Sequence, residues 1–420
     1  MRIGFSAIIF LALVASSTLI VFGQSTVLDN ATFFSTSFNV NDAVYDRTRD
    51  VVFATTPSSE GLMLGNRLLE INPADGVIVN ATFVGSEPNQ LAISRDGSRI
   101  YIGIDGAQGV RSFTPDTATL GEIASLSDDS GPAVADDIAV PPGFPDLVVV
   151  SRNNVGFSAN GFLRVFNVTG TTLTPTFSEP MNFVFTADNI ISFINRNTLF
   201  TFNNTDTGLG GMLYDFDGQA LTLDISQTRV VSGANIEVET GSDGQIYFTN
   251  GVVLDGSDLS PEGTFDTGLV DRSALVEPVP ALGLTYFAGA TSLLTSRTVN
   301  LNVFDNETFE LIDSVELSGV NTDDPRGQLI AAGENRLAFF AQATGSSFTG
   351  PGPLTFISNI PVDVPILGDV NQDGVVDFSD IPAFIAVLQM GQFQAEADCN
   401  QDGVVDFADI PAFIEILQAA

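Results

Sequence analysis

The sequence predicts a mainly β protein, seven four-stranded units closed into a ring, with a small α-helical module behind it. Three observations carry that expectation. A five-residue strand signature recurs seven times through the middle of the chain. An unpaired strand near the start matches a strand missing from the last unit. Two acidic twelve-residue loops, each leading into a helical pattern, close the 420 residues.

The first element in chain order is an apolar leader. Arg2 supplies a positive end, Ile3–Phe22 is almost wholly apolar or small, and Val21 and Gly23 precede a cut site ahead of Gln24. This pattern reads as an export signal over residues 1–23. A retained membrane anchor is the competing reading, because the stretch is long for a signal. Either way, the protein is expected to be secreted or held at the cell surface.

The repeating body follows. Copies of the signature begin at Asp50, Arg99, Asp146, Asn197, Gln245, Leu284 and Arg336, in steps of 49, 47, 51, 48, 39 and 52 residues. A period of that size fits four short strands and their turns. Turns such as Asp96-Gly97 and Asp243-Gly244 precede some copies, glycine supplying the positive φ that tight hairpins need. A second strand pattern follows most copies, as at Arg67–Pro73, Val110–Pro115 and Leu163–Asn167, and a third follows in some, as at Val77–Phe83 and Glu310–Leu317. Units this small bury their faces only by stacking around an axis, which predicts a seven-bladed β-propeller over 28–361. An irregular pair of β-sandwiches is the alternative, and the fifth unit is the least regular. The seventh copy runs out of chain after its third strand near Ile360, while Ala31–Phe38 reads as an orphan fourth strand. Pairing the two would close the ring and hide its edges. On the strand–turn–strand run Leu91–Tyr101, the body resembles the YVTN and related surface-protein propellers, a resemblance that implies fold and no catalytic signature.

Pro361 and Pro365 stiffen a connector at 362–368, and a module at 369–420 ends the chain. Its two loops run from Asp369 to Asp380 and from Asp398 to Asp409, 29 residues apart. Each places oxygen-bearing side chains at loop positions 1, 3, 5, 9 and 12 and glycine at position 6. That spacing wraps a chain around calcium, a hard cation that takes six to eight oxygens. The first set of ligands is Asp369, Asn371, Asp373, Asp380 and the Val375 carbonyl, with Asp377 acting through water. The second is Asp398, Asn400, Asp402, Asp409 and the Val404 carbonyl, with Asp406 in the water-linked place. Two calcium ions follow. Ile381, Phe384, Ile385 and Leu388, and again Ile410, Phe413, Ile414 and Leu417, mark the apolar face of a helix after each loop. Pro382 and Pro411 fall in the first turn, where a missing N–H costs little.

A duplicated loop–helix with aspartate at position 12 and no entering helix resembles the type I dockerin. That resemblance implies docking onto a cohesin-like or other surface protein, often in polysaccharide breakdown. It also implies that loop positions 10 and 11 meet the partner, here Phe378 and Ser379, and Phe407 and Ala408. Ile385-Ala386 and Ile414-Glu415 stand where the family commonly carries a basic pair. The two phenylalanines could instead fill the module's own core or pack on the propeller.

Composition narrows the function further. Hydrophobic residues make up 44% of the chain, so disorder is not expected. Asp and Glu number 51 against 15 basic residues, all arginine, for a net charge of −36. Such a surface repels nucleic acid and attracts divalent cations. The chain has no His, no Lys and no Trp, which removes Ser-His-Asp triads, lysine nucleophiles and histidine metal ligands. The single Cys399 excludes an internal disulfide; it is either a small packing residue or a thiol able to dimerise. Two functions stand: a non-catalytic propeller carrying a docking tail, or a carbohydrate-active enzyme, glycoside hydrolase or polysaccharide lyase. The second would need a carboxylate pair, and Asp128-Asp129, Asp136-Asp137 and Asp323-Asp324 are the candidate doublets. Tyr101, Tyr247 and Tyr286 share one place in the repeat and read as packing residues.

Overall fold

A computed structural model describes residues 27–128, 131–154, 162–178, 190–203, 209–233, 236–270, 274–291, 298–321, 327–333, 335–340, 352–362, 367–371, 376–390, 394, 396–400, 402 and 404–419. The leader, Asp129, Asp323, Asp324, Asp373 and Val375 lie outside them. Among the described residues there are seven antiparallel sheets, six of four strands and one of five. Every copy of the repeated signature is the second strand of its sheet, from Val51–Thr55 in blade 1 to Arg336–Phe340 in blade 7. The innermost strands, beginning with Asp42–Asp46 and ending with Leu329–Ala331, follow one another around the axis, and the last touches the first.

The reason the signature is apolar at successive positions lies between the blades. Seven buried clusters form, one at each interface between neighbouring blades. Side chains alternate across a strand, so one second strand feeds two clusters. Val52 and Ala54 pack toward blade 7, while Val51 and Phe53 pack toward blade 2. Val148 and Val150 serve one interface and Leu147 and Val149 the next. Outer strands such as Ile78–Phe83 have solvent on one side and read accordingly mixed. Tyr101, Tyr247 and Tyr286 are buried as expected of packing residues. Two of their hydroxyls reach the carbonyls of Pro145 and Pro361, at 2.8 and 2.6 Å.

The ring closes as the sequence predicts. Thr32–Val40 pairs antiparallel with Gly352–Ser358, so the first described strand completes the last blade. Blade 5 is built throughout from short strands, three to four residues each. One irregularity escaped the sequence: the outer edge of blade 2 is split into two short strands, Thr119–Leu120 and Ala124–Ser125. The first residue of the signature also ties blades together, Arg99 reaching Asp146 at 3.0 Å and Arg336 reaching Asp50 at 3.4 Å. Such exposed pairs add little stability; they favour one order of blades.

Four carboxylates, Asp42 buried and three others half-buried, sit on the inner strands. Asp42 accepts from Ala43 N at 2.8 Å and from Leu91 N of blade 2 at 2.6 Å. Asp137 of blade 3 accepts from Ile138 N at 2.7 Å and from Ile191 N of blade 4 at 2.8 Å. Glu277 of blade 6 and Glu239 of blade 5 accept from Ala331 N and Gln328 Nε2 of blade 7, both at 3.1 Å. Burial pushes Asp42 and Glu239 each up to about 7, and backbone or amide hydrogen bonds only partly oppose it. Burial likewise holds Asp137 and Glu277 well above the ordinary carboxylate range.

These groups keep their protons to higher pH in the fold than in the unfolded chain. Between pH 4 and about 7 the folded state therefore binds more protons, and stability falls as pH rises through that window. Moving one such carboxyl from near 4 to about 7 corresponds to about 4 kcal/mol. Calorimetry at fixed ionic strength should show the propeller transition highest near pH 4 and falling toward pH 7.5, with a shallower fall in the D42N/E239Q variant.

Candidate metal-binding and docking module

The carboxyl-terminal module contains two loops, each running into a helix, Ile381–Met390 and Asp409–Ala419. Pro382 and Pro411 occupy the first turns, as their missing N–H groups require. The core holds Val370, Phe384, Val387, Ala397, Cys399, Val405 and Phe413. Phe384 and Phe413, equivalent residues of the two repeats, stack with ring centroids 4.0 Å apart. Cys399 is buried in this core, and burial pushes its thiol up to about 12, as suits a packing residue.

Ile385 and Ile414 depart from the predicted apolar face. They are 47% and 46% exposed, and Val387 fills the core in the first helix instead. Phe378 and Phe407 are 76% and 78% exposed, so they neither enter the core nor pack on the propeller. Each repeat thus presents the same exposed pair, a phenylalanine at loop position 10 and an isoleucine seven residues on. Ser379 and Ala408 are exposed beside them.

Both loops close with one hydrogen-bond pattern. In the first, Asp380 Oδ1 accepts from Asn371 N at 3.0 Å and Oδ2 from Asp377 N at 2.9 Å. Asp409 repeats this with Asn400 N at 3.0 Å and Asp406 N at 2.8 Å. Asp377 and Asp406 in turn accept from Ser379 N and Ala408 N, both at 2.6 Å, so positions 9 and 12 also cap the helix. Hydrogen bonding to its charged form holds Asp377 below the usual carboxylate range. Asp380 and Asp409 are fully buried, and burial is the largest influence on Asp409, raising it. A carboxylate has about four acceptor sites, so each of these still has lone pairs for a cation.

Asp398, Asn400, Asp402 and Asp409 form a hard-oxygen donor set suited to calcium in chemistry and spacing. Their orientation is committed elsewhere. Asp398 Oδ1 accepts from Asp402 N at 3.0 Å, and Asp402 Oδ1 accepts from Val404 N at 3.0 Å. Among the described residues no three acidic side chains converge as a metal would require. The other oxygen of each meets the propeller: Arg95 Nη1 donates to Asp398 Oδ2 at 3.0 Å, and Arg196 Nη1 donates to Asp402 Oδ2. Arg196 N also donates to the Asp402 carbonyl at 3.2 Å, and its guanidinium lies over Phe144, 5.3 Å from the ring centre. Gly143 faces Asp402 with φ +76°, and a Cβ there would come within 2.9 Å of the Asp402 Cβ. Leu367 and Asp398 help to line a cavity of about 340 Å³ whose propeller side includes Tyr45, Arg47 and Glu277. Nothing in the sequence linked Arg95 or Arg196 to the loops, since 303 and 206 residues separate the partners.

The candidate catalytic doublets do not gather into a cleft among the described residues. Asp128 is bound by Arg152 at 2.6 Å and by Arg164 at 2.7 Å. Asp137 turns into the inter-blade bond already described, while Asp136 accepts from Asn153 on the exposed side at 3.4 Å.

Comparison with known proteins agrees with both parts. Residues 367–417 match the model of the dockerin type I domain. No curated protein matches the chain. The body is similar to the β-propeller domain of Cps50 (Swd1) from Myceliophteria thermophila, with TM-score 0.54 at 11% identity over 78% of this chain and 98% of that one. It is also similar to U3-55K, with TM-score 0.51 at 11% identity over 78% and 98% of the two chains. The RRP9 WD40 repeats give TM-score 0.51 at 11% identity over 78% and 97%. At such identity the likeness shows the fold alone. The chain is therefore a seven-bladed β-propeller followed by a type I dockerin, a class of module that binds calcium and docks onto cohesins.

The stacked pair is the centre of the module's core, and truncating it should unfold the module before the propeller. Replacing Phe413 with alanine is expected to cost about 3–5 kcal/mol. Circular dichroism at 222 nm should then show early loss of helix in the full chain, with the main propeller transition unmoved.

Proposed function

We propose that this chain is an exported docking protein, in which a calcium-loaded tail at 369–420 plugs a non-catalytic propeller, residues 28–361, into a cohesin-type partner. A signal at 1–23 is removed, and 362–368 is the connector. The observation that carries this reading is the duplication of both surfaces. Two loops share one hydrogen-bond pattern, and two phenylalanines stand exposed at equivalent places. Proteins with dockerin modules are typically extracellular or held at cell surfaces, which agrees with the apolar leader.

Two ions are proposed. Asp369, Asn371, Asp373, Asp380 and the Val375 carbonyl hold the first, with Asp377 through water. Asp398, Asn400, Asp402, Asp409 and the Val404 carbonyl hold the second, with Asp406 through water. A module this small, with no disulfide, gains stability from metal bound to its folded form alone. Phe378 and Ser379 form one partner face and Phe407 and Ala408 the other. Exposed aromatics of this kind serve as interface anchors once buried by a partner.

A type I cohesin module, titrated with the full chain in calcium, tests the reading. With two equivalent faces, F378A and F407A alone should each weaken binding only about twofold. Their combination should weaken it on the order of 100-fold, and EDTA should abolish it. Unchanged binding by the double variant would remove the phenylalanines from the interface, and no binding by the wild-type chain would remove the cohesin.

A further inference from the structure

Asp398 and Asp402 are claimed twice. They occupy positions 1 and 5 of the second loop, where a cation would be held, and each also carries a propeller guanidinium. We propose that the propeller face built by the turns at Arg95, Gly143 and Arg196 is a docking surface for the chain's own second loop, and that calcium contests it. Binding the ion at that loop releases the tail from the propeller. This rests on the calcium reading above and adds to it.

The competition follows from charge and burial. Asp398 and Asp402 are 2% and 4% exposed, while the Arg95 and Arg196 side chains that meet them keep 38% and 35% of their surface in water, so screening of the pairs is reduced on the carboxylate side alone. A doubly charged ion bound by the same carboxylates would sit beside two guanidinium groups, and like charges at such range repel strongly. Arginine cannot shed its proton to relieve that repulsion. One cation has to leave. Arg196 is held in place by its approach over Phe144, and the Gly143 backbone makes room for Asp402. The face is therefore shaped to this loop and not merely adjacent to it.

Release loosens the tail because these two residues carry its ion pairs to the propeller, with Arg47 also acting on Asp398. The two ion pairs and the Arg196 N bond to the Asp402 carbonyl end on them. Loss of those contacts would also open the cavity of about 340 Å³ beneath Leu367 and Asp398. Phe378 and Phe407 are exposed in the docked arrangement, so docking on the propeller leaves their side chains uncovered. What calcium changes is the reach of the module: clamped against the propeller without it, free on its connector with it.

Two measurements on the full chain test this at constant ionic strength. The first is calorimetric titration of calcium into the wild-type protein and the R95Q/R196Q variant. Removing the guanidinium groups should tighten one of the two sites about tenfold and leave the other unchanged. The second is small-angle scattering of the wild-type protein in EDTA and in calcium, where the radius of gyration should rise on adding calcium. Equal affinities in both proteins, or weaker binding in the variant, would overturn the competition. An unchanged radius of gyration would overturn the release. No calcium heat in either protein would instead remove the metal reading on which the proposal stands, a result distinct from both.

Discussion

The antiparallel pairing of Thr32–Val40 with Gly352–Ser358 is the contact on which the ring depends, because no blade is stable by itself. A four-stranded sheet of five-residue strands has two open faces and two open edges. The faces are covered only by the neighbouring blades, as the seven interface clusters show, and each second strand belongs to two of them. A ring missing one seam would leave two such faces and an unpaired edge in water. Closing it with the chain's own beginning joins the two ends of the propeller and places the start of the tail, after Ile360, at a fixed position on the ring.

That closed ring is also where an acidic chain stores some of its carboxylates. With a net charge of −36, repulsion favours any arrangement that pairs or neutralises acids. Arginine is the sole cation, and it is used at the seams: Arg49 joins Asp46 to Asp116, Arg99 meets Asp146, and Arg336 meets Asp50. The inner strands take a different course. There Asp42 is buried and Asp137, Glu239 and Glu277 are half-buried, desolvation raises the proton affinity of each, and they bond to N–H donors of other blades. A buried carboxyl that stays neutral avoids most of the desolvation penalty a charge would meet.

The tail divides its chemistry between two sides. Its apolar groups at loop position 10 face solvent, and the carboxylates of its second loop face the propeller. The same duplication that exposes a phenylalanine in each repeat does not repeat the docking, since Arg95 and Arg196 meet carboxylates of the second loop. Sequence identity between the repeats therefore does not make them equivalent in the assembled chain.

Much of this was legible in the residues. The period of the strand signature, its unbroken apolar run and the orphan strand at Ala31–Phe38 determined a seven-membered closed ring. Local periodicity and edge pairing are properties a chain writes into itself. The loop spacing and the prolines at 382 and 411 likewise determined the two loop–helix repeats. Three things were decided only in three dimensions. Ile385 and Ile414 fit the helical period of a buried face, yet they lie outside the core, because a two-helix module has room for one stripe and Phe384 with Phe413 fills it. Asp42 and Glu239 look like any of 51 acids until burial between blades changes their proton affinity. The bonds from Arg95 and Arg196 to the second loop cross 303 and 206 residues. No local pattern encodes a meeting that depends on where the ring sets down its own tail.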